Sequence, residues 1–223
     1  MKKYGILVLG VLGAAGLARA NIQIDFAAVT DAVIDFSGGG NFSFPVSPDL
    51  SEPWTGYDFT VNHESGLTNS AVGLFGNING TFTIGAITLA GGGVQTAPVT
   101  GTGTLTITDA ASVPKVFSAA LNWVNIESFG TGGTINYSGT VNLTGMTYAG
   151  SNADLLTLDH APGGIVTLTY QFIPGLTLTQ LATGGDETSY SGTIMPTTVP
   201  EPASFLLFGT LLLGVGRMVR KRS

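Results

Sequence analysis

The feature that most constrains the fold is a strict two-residue alternation of hydrophobic and polar side chains in the middle of the chain. It is clearest at 104–108, which reads Thr-Leu-Thr-Ile-Thr, and at 166–172, where alternate residues from Val166 to Phe172 are hydrophobic. Successive side chains of a β-strand point to opposite faces, so each run predicts a strand with one buried side. Shorter runs predict strands at Phe42 and Phe44, Phe82 and Ile84, Ile135 and Tyr137, Val141 and Leu143, and Leu176 and Leu178.

Glycine supplies the turns between these runs. The chain has 33 glycines and 10% charged residues, and no segment predicts an amphipathic helix. Asn79 and Gly80 predict a hairpin turn, and the Gly-rich segment 91–103 predicts a long loop. We therefore predict an all-β fold, an antiparallel β-sandwich of which a jelly roll is one form, with a β-helix as the alternative.

Charge is distributed unevenly along the chain. Lys115 is the only Lys or Arg between residues 21 and 199, a segment that holds thirteen Asp and Glu and carries a net charge of −12 with His neutral. Such a domain repels anionic polymers, so no nucleic-acid partner is expected. The chain has no cysteine, which excludes disulfides, thiolate nucleophiles and cysteine-ligated metals.

The first twenty residues have the order of a secretory signal peptide. Lys2 and Lys3 precede an apolar run at 4–17, and the small residues Ala18 and Ala20 follow it. Signal peptidase needs small residues at these two positions, so we predict export and cleavage after Ala20. An uncleaved N-terminal anchor is the alternative, although the apolar run is shorter than the roughly 20 residues that usually span a bilayer.

The C-terminal end combines three features in a fixed order. Pro200 and Pro202 flank Glu201 and hold the backbone extended, which is the form that a processing enzyme can bind in its cleft. The apolar segment 203–219 predicts a short transmembrane helix. A basic cluster predicts that the extreme end stays cytoplasmic while the preceding chain lies outside; it consists of Arg217, Arg220, Lys221 and Arg222.

This order of Val199-Pro200-Glu201-Pro202, a Leu- and Gly-rich helix and terminal basic residues resembles the PEP-CTERM sorting signal of Gram-negative bacteria. The resemblance implies export, transient insertion in the inner membrane and processing by an exosortase near the motif. It also implies delivery to the cell surface or to an exopolysaccharide matrix. The expected partners are then signal peptidase, exosortase and exopolysaccharide. An ordinary tail-anchored surface protein is the alternative.

These features divide the chain into four segments. We predict a signal peptide at 1–20, a β-sandwich domain at 21–192, a linker at 193–198 and the sorting signal with its transmembrane helix at 199–223. The domain should be flanked by two helices, one in the signal peptide and one in the sorting signal.

No arrangement of residues predicts catalysis. His63 and His160 are far apart in the sequence and are expected to be exposed or hydrogen-bonded, and no serine lies in a Gly-x-Ser-x-Gly turn. The segment 184–187, Gly-Gly-Asp-Glu, is expected to be a turn before a strand. The leading hypothesis is a non-enzymatic protein of the cell surface or the extracellular, biofilm-associated matrix.

Two groups of residues keep other functions open. Asn152, Asp154 and Asp159 lie in one predicted loop and offer the oxygen ligands that Ca²⁺ prefers, but they lack the spacing of a calcium loop, so no cofactor is predicted. An aromatic platform for sugar rings is the second option, although Trp123 is expected in the core; its candidates are Trp54, Tyr57, Trp123 and Tyr148. Such a platform beside paired carboxylates would indicate a secreted carbohydrate-binding or glycoside hydrolase-like protein.

Overall fold

The computed structural model of the chain describes residues 22–46, 55–66, 68–129 and 135–197. These residues form twelve strands and two short helices, and every strand pair is antiparallel. The helices are α1 (Ala153–Asp159) and α2 (Leu178–Gly184). The strands are β1 (Gln23–Ala28), β2 (Ile34–Gly38), β3 (Asn41–Ser43), β4 (Phe59–Ser65), β5 (Phe75–Ile84), β6 (Thr88–Leu89), β7 (Gln95–Thr108), β8 (Val116–Phe129), β9 (Ile135–Thr147), β10 (Gly164–Phe172), β11 (Asp186–Thr188) and β12 (Tyr190–Pro196).

The strand order is β11-β2-β3-β5-β4-β1-β12-β10-β9-β8-β7-β6. One edge of β5 also pairs with β7, from Phe75 opposite Thr108 to Ile84 opposite Val99. The other edge of β5 is shared, because its first residues pair with β4 and its last residues pair with β3. Eight strands therefore form a closed circuit of hydrogen-bonded neighbours around one core, and the predicted all-β, sandwich-like fold is confirmed.

The core lies on the face that the sequence alternation marks as hydrophobic. In β10 the side chains of Val166, Leu168, Tyr170 and Phe172 are all buried, while Thr169 and Gln171 between them are exposed. Trp123 also lies in the core, as expected, with its ring centroid 5.0 Å from that of Phe42 and 5.3 Å from that of Phe82; both phenylalanines are fully buried. Burial of one such side chain contributes on the order of 2 kcal/mol to stability.

The predicted hairpin turn at Asn79 and Gly80 is wrong, because β5 runs straight through both residues. Gly80 has a φ of +143° and lies opposite Gly103 in β7. A Cβ on Gly80 would approach the carbonyl oxygen of Thr102 to 2.7 Å and the ring of Phe82 to 2.9 Å. The glycine therefore allows close contact between two strands and an aromatic ring, and does not mark a turn.

The predicted loop at 91–103 is also largely strand. Gly91–Gly93 form a single 3₁₀ turn, and β7 begins at Gln95. The pairing of β7 with β8 shifts register between Pro98 and Gly103, and Gly101 has a φ of +123°. Glycines in this stretch thus accompany an irregularity in a long strand, where a bulge changes the strand's direction.

Two short helices replace segments predicted as strand or loop. The sequence predicts a strand through Leu176 and Leu178, but Leu178 is the first residue of α2. Thr177 and Gln180 form a capping box at the start of this helix. Each helix has only seven residues, which is too short for a helical period to show in the sequence. At the other end of the domain, β12 continues to Pro196 and so enters the segment predicted as linker.

Candidate functional site

Asp154, one of the three residues that kept a calcium site open, is a buried hydrogen-bond acceptor in α1. Its carboxylate accepts hydrogen bonds from the Thr68 hydroxyl at 2.8 Å, from the Ser70 amide at 2.5 Å and from the Ala71 amide at 3.1 Å. The Ser70 hydroxyl donates to the same carboxylate. Because a buried carboxylate must be paired to be tolerated, these bonds fasten α1 to the segment before β5.

The other two residues of this group, Asn152 and Asp159, have separate structural roles. Asn152 is the N-cap of α1, and its Oδ1 accepts the amides of Asp154 and Leu155, both at 3.1 Å. Asp159 is the last residue of α1, and its Oδ1 accepts the amide of Tyr148 at 3.1 Å. The predicted loop is therefore a capped helix. Among the described residues, no group of three or more His, Asp and Glu side chains could hold a metal.

Glu64 is a second buried carboxyl beside Asp154, with 4% of its surface exposed. Burial, together with charge repulsion from the neighbouring Asp154 carboxylate, raises the pKa of Glu64 to about 7. Burial acts in the same direction on Asp154, but hydrogen bonds from Ser70 and Thr68 outweigh it and hold the pKa of Asp154 below its usual value. Of these two carboxyl groups, Glu64 is therefore the one that takes up a proton first as the pH falls through about 7.

Asp58 is a third buried carboxyl and is fully inaccessible to solvent. Its Oδ2 accepts the Ile78 amide at 2.6 Å, while its Oδ1 has no hydrogen-bond partner among the described residues. Burial raises the pKa of Asp58 to about 7. Neither Asp58 nor Glu64 was singled out from the sequence, because local context does not distinguish a buried acid from the many exposed ones.

The described residues of the candidate aromatic platform do not form one exposed surface. Trp123 and Tyr148 are each only 8% exposed, and the Tyr148 hydroxyl donates to Asp109 at 2.6 Å. Tyr57 stacks on Phe75 instead, with 5.4 Å between ring centroids. Trp54 lies outside the described residues.

Both histidines are exposed, as the sequence predicts. His63 is exposed in β4, and its Nδ1 is 3.1 Å from the Asp25 carboxylate in β1. His160 is exposed at the C-terminal end of α1. In the Gly-Gly-Asp-Glu segment, Gly184 and Gly185 end α2, and Asp186 and Glu187 already lie in β11, so a helix end stands where a turn before a strand was expected.

A shallow, open groove lies on the outer face of the sheet, where the ends of β8, β9, β10 and β12 come together. It encloses about 650 Å³, and none of its lining residues is charged. Its exposed lining residues carry hydroxyl or amide groups, apart from Phe129, which is 40% exposed. The lining residues are Ala27, Phe129, Asn136, Tyr137, Ser138, Thr169, Tyr170, Gln171, Ser189, Tyr190 and Ser191.

Comparison with known proteins identifies the C-terminal end. A family model described as the PEP-CTERM protein-sorting motif matches residues 198–222. The chain carries a PEP-CTERM sorting signal. This signal marks an exported protein that an exosortase sorts at a membrane. No curated protein and no solved structure matches the chain.

The PEP-CTERM match contains all the predicted sorting residues, which lie outside the described part of the structure. They are the motif Val199, Pro200, Glu201 and Pro202 and the basic residues Arg217, Arg220, Lys221 and Arg222. The predicted signal peptide with Ala18 and Ala20 and the predicted transmembrane helix at 203–219 also lie outside it. Within the described residues, no helix is long and apolar enough to cross a membrane.

Proposed function

We propose that this chain is a non-enzymatic protein of the cell surface or the exopolysaccharide matrix, delivered there after exosortase processing. The PEP-CTERM motif at 198–222 is the observation that carries the proposal, because it couples export to processing at the membrane. The domain before it would then be the part that acts outside the cell.

The positions of the carboxyl groups favour a non-enzymatic role. Asp154 binds α1 to the segment before β5 through hydrogen bonds. Asp109 accepts a hydrogen bond from the Tyr148 hydroxyl, and Asp58 lies in the core. Glycoside hydrolysis needs two carboxyl groups on either side of a cleft that admits the substrate. Because no carboxyl group lines the outer groove, the groove supports ligand binding more than hydrolysis.

The proposal is tested by replacing Pro200, Glu201 and Pro202 with alanine. Membrane insertion depends on the apolar segment and the basic cluster, which remain, whereas the extended motif is lost. We expect the triple variant to accumulate at full length in inner-membrane fractions. The wild-type chain should appear as a shorter species at the cell surface or in the matrix, as measured by fractionation and immunoblotting.

Thr197→Ala is the matched control, because Thr197 lies just before the matched motif and its side chain is exposed. This variant should be processed and released like the wild type. If wild type and triple variant fractionate identically and both keep the terminal Arg-Lys-Arg, the tail is an ordinary anchor and the proposal fails.

A further inference from the structure

The outer groove holds an amide pair beside an exposed aromatic ring. Gln171 of β10 is in register with Asn136 of β9, which is in register with Phe129 of β8. The Gln171 amide nitrogen donates to Asn136 Oδ1 at 2.9 Å. Neighbouring strands are about 4.8 Å apart, so the two amides and the ring form one short row across three strands.

A row of hydroxyl groups runs parallel to the amide row. Ser191, Thr169 and Ser138 are in register across β12, β10 and β9, and the hydroxyl oxygens of Ser191 and Thr169 are 2.9 Å apart. Hydroxyl and amide groups can donate and accept hydrogen bonds at the same time. Both rows therefore keep free donors and acceptors that face solvent in the groove.

The chemistry of these rows restricts the class of ligand. Sugar hydroxyls also donate and accept together, and the apolar face of a pyranose ring packs on an aromatic ring such as Phe129. The groove has no charged lining, and Lys115 is the only Lys or Arg between residues 21 and 199. Anionic polymers are therefore repelled by the net charge of this segment and find no cation in the groove.

We propose that this groove binds a neutral polysaccharide chain. The inference deepens the proposed matrix role and rests on it for the source of the ligand. A protein partner is disfavoured because protein interfaces centre on a buried apolar core, whereas Phe129 is the single exposed large hydrophobic residue in this lining. Asn136 and Gln171 would hold sugar hydroxyls, with Phe129 packed on a ring face.

Affinity electrophoresis of the full-length chain in mild detergent tests this site. Gels would contain dextran, a soluble β-glucan or galactomannan as neutral probes, and alginate as the anionic probe. We expect at least one neutral polysaccharide to retard the chain and alginate to leave it unretarded. Asn136→Ala with Gln171→Ala should weaken the apparent affinity about tenfold or more, because both amide groups that would bond to sugar hydroxyls are removed. Phe129→Ala should also weaken it.

Asn122→Ala is the matched control. Asn122 is an exposed amide on β8 that also donates across strands, to the Thr144 hydroxyl at 2.9 Å, and it does not line the groove. This variant should bind like the wild type, and circular dichroism should show that all variants are folded.

The outcomes separate this inference from the proposed function. Retardation by alginate alone, by none of the probes, or equally in wild type and the Asn136/Gln171 variant would overturn the groove assignment. If the chain still reached the surface or matrix in those cases, the proposed function would stand. Binding of a neutral polysaccharide by a chain that never leaves the inner membrane would support the groove and overturn the matrix destination.

Discussion

At the scale of single residues, the described part of the domain includes three buried acids that have no Lys or Arg partner. Asp58, Glu64 and Asp154 are all at most 4% exposed, and Lys115 is the only Lys or Arg in this part of the chain. Asp154 stays ionised because several donors surround it, whereas burial raises the pKa of Asp58 and of Glu64 to about 7. A buried carboxyl group that accepts too few hydrogen bonds is more stable in its protonated form.

Asp58→Asn should reduce the pH dependence of stability. The folded pKa of Asp58, about 7, lies above its usual value of 3.8, so its protonated form stabilises the fold below about pH 4 and this contribution is lost as the pH rises through 7. The loss is on the order of 4 kcal/mol at most, since one pKa unit corresponds to about 1.4 kcal/mol. Urea unfolding at pH 5 and pH 8 should show a smaller difference for the variant than for the wild type.

Asp31→Asn is the control for this measurement. Asp31 is exposed and has a φ of +65°, a conformation that asparagine adopts as readily as aspartate. Its variant should keep the wild-type pH dependence, part of which comes from Glu64. A variant at Asp58 that loses as much stability between pH 5 and pH 8 as the wild type would contradict the assignment.

At the scale of elements, β5 joins the two ends of the strand order. It pairs with β7 over its whole length and with β3 and β4 on its other edge. The close contact at Gly80, under the Phe82 ring and opposite Gly103, lies in the middle of this strand. A side chain at that point would push apart β5 and β7 and disturb three pairings at once.

Gly80→Ala should therefore destabilise the domain by about 2–4 kcal/mol, because the new Cβ overlaps backbone atoms of β7 and the φ of +143° is unfavourable for alanine. Gly91→Ala is the control, since a Cβ there has no neighbour within 4 Å, and its effect should stay within about 0.5 kcal/mol. Urea unfolding midpoints measure both. Equal midpoints for the two variants would show that the close contact does not matter.

At the scale of the whole molecule, a predicted signal peptide and a sorting signal flank the domain. The predicted signal peptide directs export, and the PEP-CTERM signal at 198–222 directs sorting. The domain between them forms a compact unit from Asn21–Thr197, whose boundaries coincide closely with the two processing segments.

Ala20→Leu should block removal of the signal peptide, because signal peptidase accepts only small residues at the cleavage position. N-terminal sequencing of the exported wild-type protein should begin at Asn21, and the variant should retain Met1. Ala15→Leu, which keeps the apolar run intact, should be cleaved normally. An intact Met1 on the exported wild-type protein would contradict the signal-peptide prediction.

The sequence alone determined the strands with clear alternation and the sorting signal. In β10, the residues from Val166 to Phe172 show the period of two that a half-buried strand requires, and this period is a local property of the chain. The Pro200-Glu201-Pro202 triplet is likewise recognisable locally, because a processing enzyme binds an extended segment and not a folded surface.

The tertiary structure decided every feature that depends on distant neighbours. Gly80 lies within a strand and not in a turn because Thr102 and Phe82 pack against it, and Asp58 is buried because the core surrounds it. Asn136 and Gln171 are 35 positions apart and meet only through the register of β9 with β10. Such contacts arise from strand pairing across the whole domain, and an alternation of two residues contains no information about which strands will pair.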